Sequence, residues 1–414
     1  MAVLPPSIIA PLTGLARKKI QLYAWSRLKE IEAREHPLRY LFWEATLLCN
    51  ARCRHCGSDC ERSTDTSGEL STGEIKAVLG RVAEANDPRR VMLAVTGGEP
   101  TLRKDLYDVM AHAKRLGFPW GMVTNGIATD ESHVERAGEA GRRTLTVSLD
   151  GPEEIHDWMR GRRGAWRKAH RAIEMFRDAG YLKVLQVTTV VAPKTIPHLR
   201  ETLGMVRDLG VDHWRLLGIF PGGRAGGEFG RDLLMNGEDF VRLFEFIAAV
   251  RRTRKRPLTY YGEEGYFGPR WEGEIRRFYH HCNAGTTTGG ILANGDIMVC
   301  PSIPRVFVQG NVRNDDFVAV WNDGFRQFRD REWMRRGRCS GCRDFRYCKG
   351  GGLHLWNPEK METKVCHHGM LRAYEEGLIV EMTGTRPLPP DRGGAPAPAP
   401  ALGPGGQLRE EGRG

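Results

Sequence analysis

No run of about eighteen apolar residues occurs anywhere in the chain, which excludes a membrane-spanning helix. The opening segment Met1-Ala2-Val3-Leu4-Pro5-Pro6 has no charged stretch ahead of its apolar residues, so nothing there reads as an export signal. Cysteine is scarce as well: ten in 414 residues are too few for a disulfide scaffold, and they cluster at metal-ligand spacings. That usage predicts a reducing compartment, the cytoplasm. Acidic residues fall short of basic ones, 51 against 62, for a formal charge of +11. Such an excess suits an acidic partner, yet the basic residues are dispersed. Their one dense run, Arg251-Arg252-Thr253-Arg254-Lys255-Arg256, follows a helical pattern and reads as a solvated helix end, which points away from nucleic acid.

What the chain does contain is a tight set of thiols. Cys49, Cys53 and Cys56 are spaced to give three thiolates to a four-iron cluster, leaving one iron open to a chelating ligand. Cys60 would complete a four-thiolate zinc set. Zinc sites, however, usually pair two short knuckles across a longer gap, and these four sulfurs fall within twelve residues. Forty residues on, the apolar run Val91-Met92-Leu93-Ala94-Val95 ends in Thr96-Gly97-Gly98-Glu99-Pro100. Two glycines allow close backbone approach, and the Glu99 carboxylate can accept from an ammonium.

From Tyr40 onward, short β-branched or aromatic runs alternate with helical periods, the signature of βα units. Candidate strands are 41–47, 91–96, 119–124, 144–149, 183–191 and 213–219. Leu106, Val109, Met110, Ala113 and Leu116 share a helix face that Gly117 closes, and Leu199, Leu203, Val206 and Leu209 repeat the device before Gly210. Gly141 and Gly180 end two more helices. Ahead of the strands lies a basic amphipathic segment around Ile20, Leu22, Tyr23, Trp25 and Leu28, expected to pack on the outside of the barrel. After the glycine-rich stretch Pro221 to Gly227 the βα pattern breaks and one amphipathic helix follows, through Phe240, Leu243, Phe244 and Ile247. The last thirty residues, from Thr385, are rich in Pro, Gly and Ala and should be disordered.

Six cysteines carry the C-terminal third: Cys282, Cys300, Cys339, Cys342, Cys348 and Cys366. Asn294-Gly295 is a two-residue hairpin signal that predicts pairing of 288–293 with 296–300, drawing Cys282 toward Cys300.

The cysteine triplet followed by Gly97-Gly98-Glu99-Pro100 resembles the radical S-adenosylmethionine superfamily, and the second cysteine region resembles its SPASM extension. The resemblance covers about residues 40 to 370. It implies an α/β fold, a partial (β/α)6 TIM-like barrel followed by a small cysteine-rich iron–sulfur module with a β-hairpin. The implied organisation is an N-terminal helical segment (1–38), the barrel (39–222), bridging helices (223–280), the iron–sulfur module (281–383) and a tail (384–414). It further implies a [4Fe–4S] cluster on Cys49, Cys53 and Cys56, S-adenosylmethionine held by Gly97, Gly98, Glu99, Ser148, Asp150 and Arg160, and at least one auxiliary iron–sulfur cluster. For Arg160 the resemblance implies a partner in the ligand's carboxylate; the residue's bland alternative is a surface ion pair with Glu153 or Glu154. An outer auxiliary cluster would take Cys339, Cys342, Cys348 and Cys366. The family pattern places one more cysteine at position 352, where this chain has Gly352, so a second, inner cluster would keep Cys282 and Cys300, with His280 or His281 as candidates to complete it.

The implied chemistry is reductive cleavage of S-adenosylmethionine and hydrogen abstraction by a 5′-deoxyadenosyl radical, fed by a reductant such as a flavodoxin or ferredoxin. The expected substrate is a peptide or protein side chain. Pro301 stands where sulfatase maturases carry a basic-acting Asp, which argues against that activity. Only 48 residues precede Cys49, fewer than a leader-binding domain needs, so the peptide is expected to bind directly or through a separate partner. The other readings are a small-molecule or tetrapyrrole oxidoreductase and a non-enzymatic electron-transfer protein.

Overall fold

The computed structural model describes residues 14–58, 60, 65–227, 229–262 and 264–377; the tail from Thr385 and the first thirteen residues lie outside them. A ten-stranded sheet organises the chain. Its parallel part runs through β1 (Tyr40–Thr46), β2 (Met92–Gly97), β3 (Trp120–Thr124), β4 (Thr144–Ser148), β5 (Val184–Val190), β6 (His213–Leu217) and β7 (Leu258–Tyr261), in that order. All six strands expected from the sequence are present. The seventh was not expected: helices α1 (Gly14–Glu35), α2 (Thr72–Ala85), α3 (Leu106–Leu116), α4 (Glu131–Glu139), α5 (Glu153–Arg160), α6 (Ala165–Ala179) and α7 (Leu199–Asp208) are followed by α8 (Gly237–Arg252), which leads to one further parallel strand beside β6. Its four residues follow the basic run directly and carry too short a pattern to be read.

The hairpin signal is realised as β8 (Thr288–Ile291) and β9 (Asp296–Met298), with Gly290 opposite Met298, Ile291 opposite Ile297, and Gly295 at φ +89° in the turn. Its first strand does not stand apart in a separate module. It pairs in parallel with β1, from Tyr40 opposite Thr288 to Trp43 opposite Ile291, so barrel and cysteine region share one sheet.

Helices cover the outer face. Of these α2 (Thr72–Ala85) starts at a capping box of Ser71 and Glu74, α3 (Leu106–Leu116) stops at Gly117 with φ +99°, and α6 (Ala165–Ala179) stops at Gly180 with φ +70°. Beneath them Trp43, Trp120 and Trp214 are fully buried, Trp120 donating to Ala140 O at 2.8 Å and Trp214 to Thr189 Oγ1 at 2.8 Å. The inner face differs. Closed barrels fill this space with branched aliphatic layers. Here Tyr260 donates to Gln186 (2.7 Å), Gln186 to Thr146 (3.1 Å) and Arg215 to Thr188 (3.2 Å), while Val123 stays 38% exposed. A polar, accessible lumen fits a sheet that does not close on itself.

The N-terminal helix α1 (Gly14–Glu35) keeps only part of the expected apolar face inward, with Leu22 buried. Ile20, Tyr23, Leu28 and Ile31 are exposed, whereas Lys29 and Glu32 are buried, paired to each other at 2.6 Å and joined by Arg39 to Glu32 at 2.9 Å. It lies on the short helix Phe345–Cys348 rather than on the barrel's outside, with Trp25 stacked on Phe278.

Candidate active site and auxiliary cysteine region

The reacting end is built where β1 and β2 finish together. Gly98 N donates to Thr46 O and Glu99 N to Leu48 O, both at 2.8 Å. A Cβ on Gly97, which has φ +131°, would lie 2.3 Å from Thr46 O, and one on Gly98 would lie 2.1 Å from Leu48 O. The two glycines therefore permit a close approach between neighbouring strand ends, fastening the start of the Cys49 loop. Glu99 is fully buried and pins three strand ends. One oxygen accepts from Thr101 N, Thr101 Oγ1 and Thr124 Oγ1 (3.2, 2.7 and 2.8 Å), and the other accepts from Asn125 N alone at 2.7 Å. The second oxygen keeps spare acceptor capacity for a ligand ammonium.

The cysteine loop is strapped from three sides. Arg52 N donates to Arg160 O (3.0 Å) and Arg54 N to Met159 O (2.9 Å), tying the loop to the end of α5 (Glu153–Arg160). Gly161 follows at φ +60°, where a Cβ would meet Arg52 O at 2.4 Å. From the far side of the barrel, Arg224 donates through Nε to Cys53 O (2.7 Å) and through its backbone N–H to Cys56 O (3.0 Å). Asn125, at the end of β3, donates to Asn50 Oδ1 at 2.8 Å and lies 4.0 Å from Cys49 Sγ.

Arg160 is no surface residue. Its Nε and Nη2 grip both oxygens of the buried Asp150 (2.7 and 3.0 Å), and Nη1 donates to Cys53 Sγ at 3.7 Å. Glu153 pairs with Arg167 instead. Asp150 also accepts from Val190 N at 3.0 Å. Burial pushes the Asp150 carboxyl up, but Arg160, the neighbouring His156 and His55 and the Val190 N–H together outweigh it and hold the group below the ordinary carboxylate range. Asp150 and Arg160, expected as ligand contacts, thus face each other and the thiol of Cys53, while Ser148 ends β4 nearby and is buried. Burial raises the thiols of Cys53 and of Cys49, the latter to about 11; Cys56 is held down to about 5 by a hydrogen bond from the thiol of Cys60. Cys60 therefore has a local partner in the loop.

In the second region Cys339, Cys342, Cys348 and Cys366 come together: burial chiefly, and then the neighbouring thiols, push Cys339 up to about 12 and raise Cys348 and Cys366. Cys366 caps the last helix, α9 (His367–Glu375), its sulfur accepting from Gly369 N at 3.3 Å. Cys282 and Cys300 are half-buried against the same core. Among the described residues no three His, Cys, Asp or Glu side chains converge as one ion requires. Ligands of a four-iron cube each take a different iron and stand further apart, so the thiol sets suit clusters better than zinc. Asn125 and Arg224 touch the cysteine loop and were not singled out as site residues from the sequence. Only Asn125, within Thr124-Asn125-Gly126 at a strand end, sits in a motif whose position could have flagged it.

Comparison with known proteins agrees with this arrangement. Residues 43–206 match the Radical SAM superfamily model and 282–343 match the SPASM iron–sulfur cluster-binding domain. The AdoMet-dependent heme synthase of Nitratidesulfovibrio vulgaris is 28% identical over 77% of this chain and 88% of its own length. The mycofactocin maturase MftC of Mycobacterium tuberculosis is 28% identical over 75% and 77%. Among solved structures, anSMEcpe with bound AdoMet superposes with a TM-score of 0.64 at 19% identity, covering 82% of this chain and 95% of that one. Streptococcus suis SuiB bound to its precursor peptide SuiA gives 0.61 at 17% identity over 77% and 72%, which again describes the fold. With the cysteine loop, the glycine-rich strand end and the second cysteine region on a single sheet, the chain belongs to the radical S-adenosylmethionine superfamily and carries a SPASM-type iron–sulfur domain.

Proposed function

We propose that this enzyme modifies a peptide or protein side chain by abstracting a hydrogen atom from it. When bound, a reduced [4Fe–4S] cluster and S-adenosylmethionine supply the 5′-deoxyadenosyl radical for that step. Cys49, Cys53 and Cys56 would hold the cluster. Arg160, buried between Asp150 and Cys53, fixes the orientation of one thiolate and offsets part of its charge. Asn125 does the same beside Cys49. Gly97, Gly98 and the free side of Glu99 form the surface on which a ligand ammonium would rest, with Ser148 at the neighbouring strand end. Phe220 lies over Gly57, where a Cβ would come 2.7 Å from its ring, and so keeps water from the loop beside Cys56. Cys339, Cys342, Cys348 and Cys366 would hold an auxiliary cluster that passes electrons, exchanging them with a reductant such as a flavodoxin or ferredoxin. No helix among the described residues is long and apolar enough to cross a membrane.

The carrying observation is the strapped three-cysteine loop facing the Glu99 network at the C-terminal ends of parallel strands. The peptide reading is supported by the mycofactocin maturase likeness, which extends over both regions. A tetrapyrrole reading is favoured by an equally specific observation, the likeness to heme synthases over 88% of one relative's length. Deuterium transfer separates them. Uniformly deuterated candidate peptides encoded beside the gene should pass deuterium into 5′-deoxyadenosine during turnover. Transfer from a tetrapyrrole, with none from any peptide, would replace the first reading with the second.

A further inference from the structure

The family pattern puts a cysteine at position 352, and this chain has glycine there. The space is not vacant. A Cβ built on Gly352 would lie 2.5 Å from Cε1 and 2.8 Å from Nδ1 of His354, so the imidazole occupies the volume into which the missing side chain would project. The ring is held edge-to-face by Phe220 at a centroid distance of 4.9 Å, and its Nε2 is buried without a hydrogen-bond partner. A second imidazole shares this condition. His280 is 2% exposed and both of its ring nitrogens are buried without partners, although its backbone N–H donates to Glu272 at 2.8 Å. His280 and His354 are close enough to act on each other electrostatically, and Cys282 follows His280 by two residues.

Buried polar atoms are nearly always paired, and four unpaired imidazole nitrogens, two on His280 and one each on His281 and His354, call for a reason. Packing alone does not supply one, because each bare nitrogen forfeits its hydration on burial. A neutral imidazole is also an established substitute for thiolate on an iron–sulfur cluster.

We propose that His354 and His280 complete the inner auxiliary cluster together with Cys282 and Cys300, His354 standing in for the cysteine absent at 352. The inference rests on the SPASM reading. Each imidazole donates a nitrogen lone pair to iron. A neutral ligand in place of an anionic one leaves the cluster less negatively charged, so its reduction potential lies above that of an all-cysteine cluster.

The test uses the full chain reconstituted anaerobically, with iron counting and pulsed EPR on protein carrying 15N-labelled histidine. The expected result is about twelve irons for three four-iron clusters and a histidine nitrogen coupling on one of the reduced auxiliary signals. His354→Ala should lose about four irons and that coupling. Because this variant could unfold the region, the paired change Gly352→Cys with His354→Ala is the stronger arm. Removing the ring clears the two closest overlaps, and the backbone carbonyl of Glu264, 2.9 Å from the new Cβ, must still move by a small amount. That variant should keep about twelve irons, lose one nitrogen coupling and show a lower potential for the inner cluster. Wild-type protein with about eight irons, or twelve irons without nitrogen coupling, overturns the proposal while leaving the radical S-adenosylmethionine and outer-cluster reading intact. Wild-type protein with about four irons would instead count against the SPASM reading on which it rests.

Discussion

Arg160 concentrates the logic of the site in one side chain. A guanidinium bonded bidentately to a buried carboxylate and touching a cysteine sulfur fixes Asp150, Cys53 and the end of α5 together. Removing it strands the Asp150 carboxylate in the interior, so Arg160→Ala should destabilise the protein by about 3–5 kcal/mol. Arg160→Lys keeps the charge but not the fork and should recover only part of this. Thermal unfolding of both variants at pH 7.5 checks the order, and an Arg160→Ala protein as stable as wild type would return Arg160 to a ligand-facing role alone. Gly98 tests the strand junction. Any Cβ there collides with the Leu48 carbonyl at 2.1 Å, and Gly98→Ala should cost at least about 2 kcal/mol and loosen iron retention by the adjacent loop. Buried Glu264 makes a pH prediction. Burial pushes its carboxyl up to about 8 even though it accepts from the Tyr261 hydroxyl. A carboxyl whose folded pKa is raised favours the folded state fully below its unfolded value near 4.5 and loses that contribution as pH climbs to about 8. Glu264→Gln should therefore flatten the fall in Tm between pH 5 and 8.5, with its largest gain over wild type at the alkaline end.

Elements carry the next level, and they explain what the sequence could and could not disclose. The six expected strands were legible because each is a β-branched or aromatic run, and four of them lead into helices closed by Gly117, Gly141, Gly180 and Gly210, two signals that agree. The strand at Leu258–Tyr261 gave neither a long run nor a turn of its own, and its place follows from tertiary pairing with β6. The hairpin was legible from Asn294-Gly295, but its attachment to β1 was not, since a parallel partner 248 residues away, Thr288 opposite Tyr40, leaves no local mark. For α1 the face was legible only in part: Leu22 is buried, while Ile20, Tyr23 and Leu28 are exposed. A buried Lys29–Glu32 pair with Arg39 and Asn283 reverses the rule that apolar residues turn inward. In the site, the cysteines and Gly97-Gly98-Glu99 were legible from spacing. Asp150 and Arg160 came from the family resemblance as ligand contacts and not as partners of each other, because their contact joins a strand end to a helix end. Helix α9 offers a clean separation of fold from metal. Cys366 is its N-cap, and serine is a better cap than alanine. Cys366→Ser should keep the unfolding free energy within about 1 kcal/mol of wild type while removing the outer cluster, about four irons by assay.

At the scale of the molecule, one sheet runs from the hairpin of the cysteine region through β1 to β7, so the cysteine loop after β1 and the second cysteine region are tied to one framework. Their chemical independence can be measured against that structural continuity. Replacing Cys49, Cys53 and Cys56 together by alanine removes every thiol of the strapped loop except Cys60, yet leaves Arg160–Asp150, the Glu99 network and the outer thiols in place. The variant should fold, lose about four irons and form no 5′-deoxyadenosine from S-adenosylmethionine under dithionite. Cys366→Ser, in contrast, should still cleave S-adenosylmethionine without forming product, because only the first cluster is needed to start the radical. If the triple variant kept cleaving, the active site would lie elsewhere. If Cys366→Ser abolished cleavage in a protein whose unfolding and first-cluster spectrum were unchanged, electrons would have to enter through the outer cluster, and the shared sheet would be the support that holds the two centres at a fixed separation.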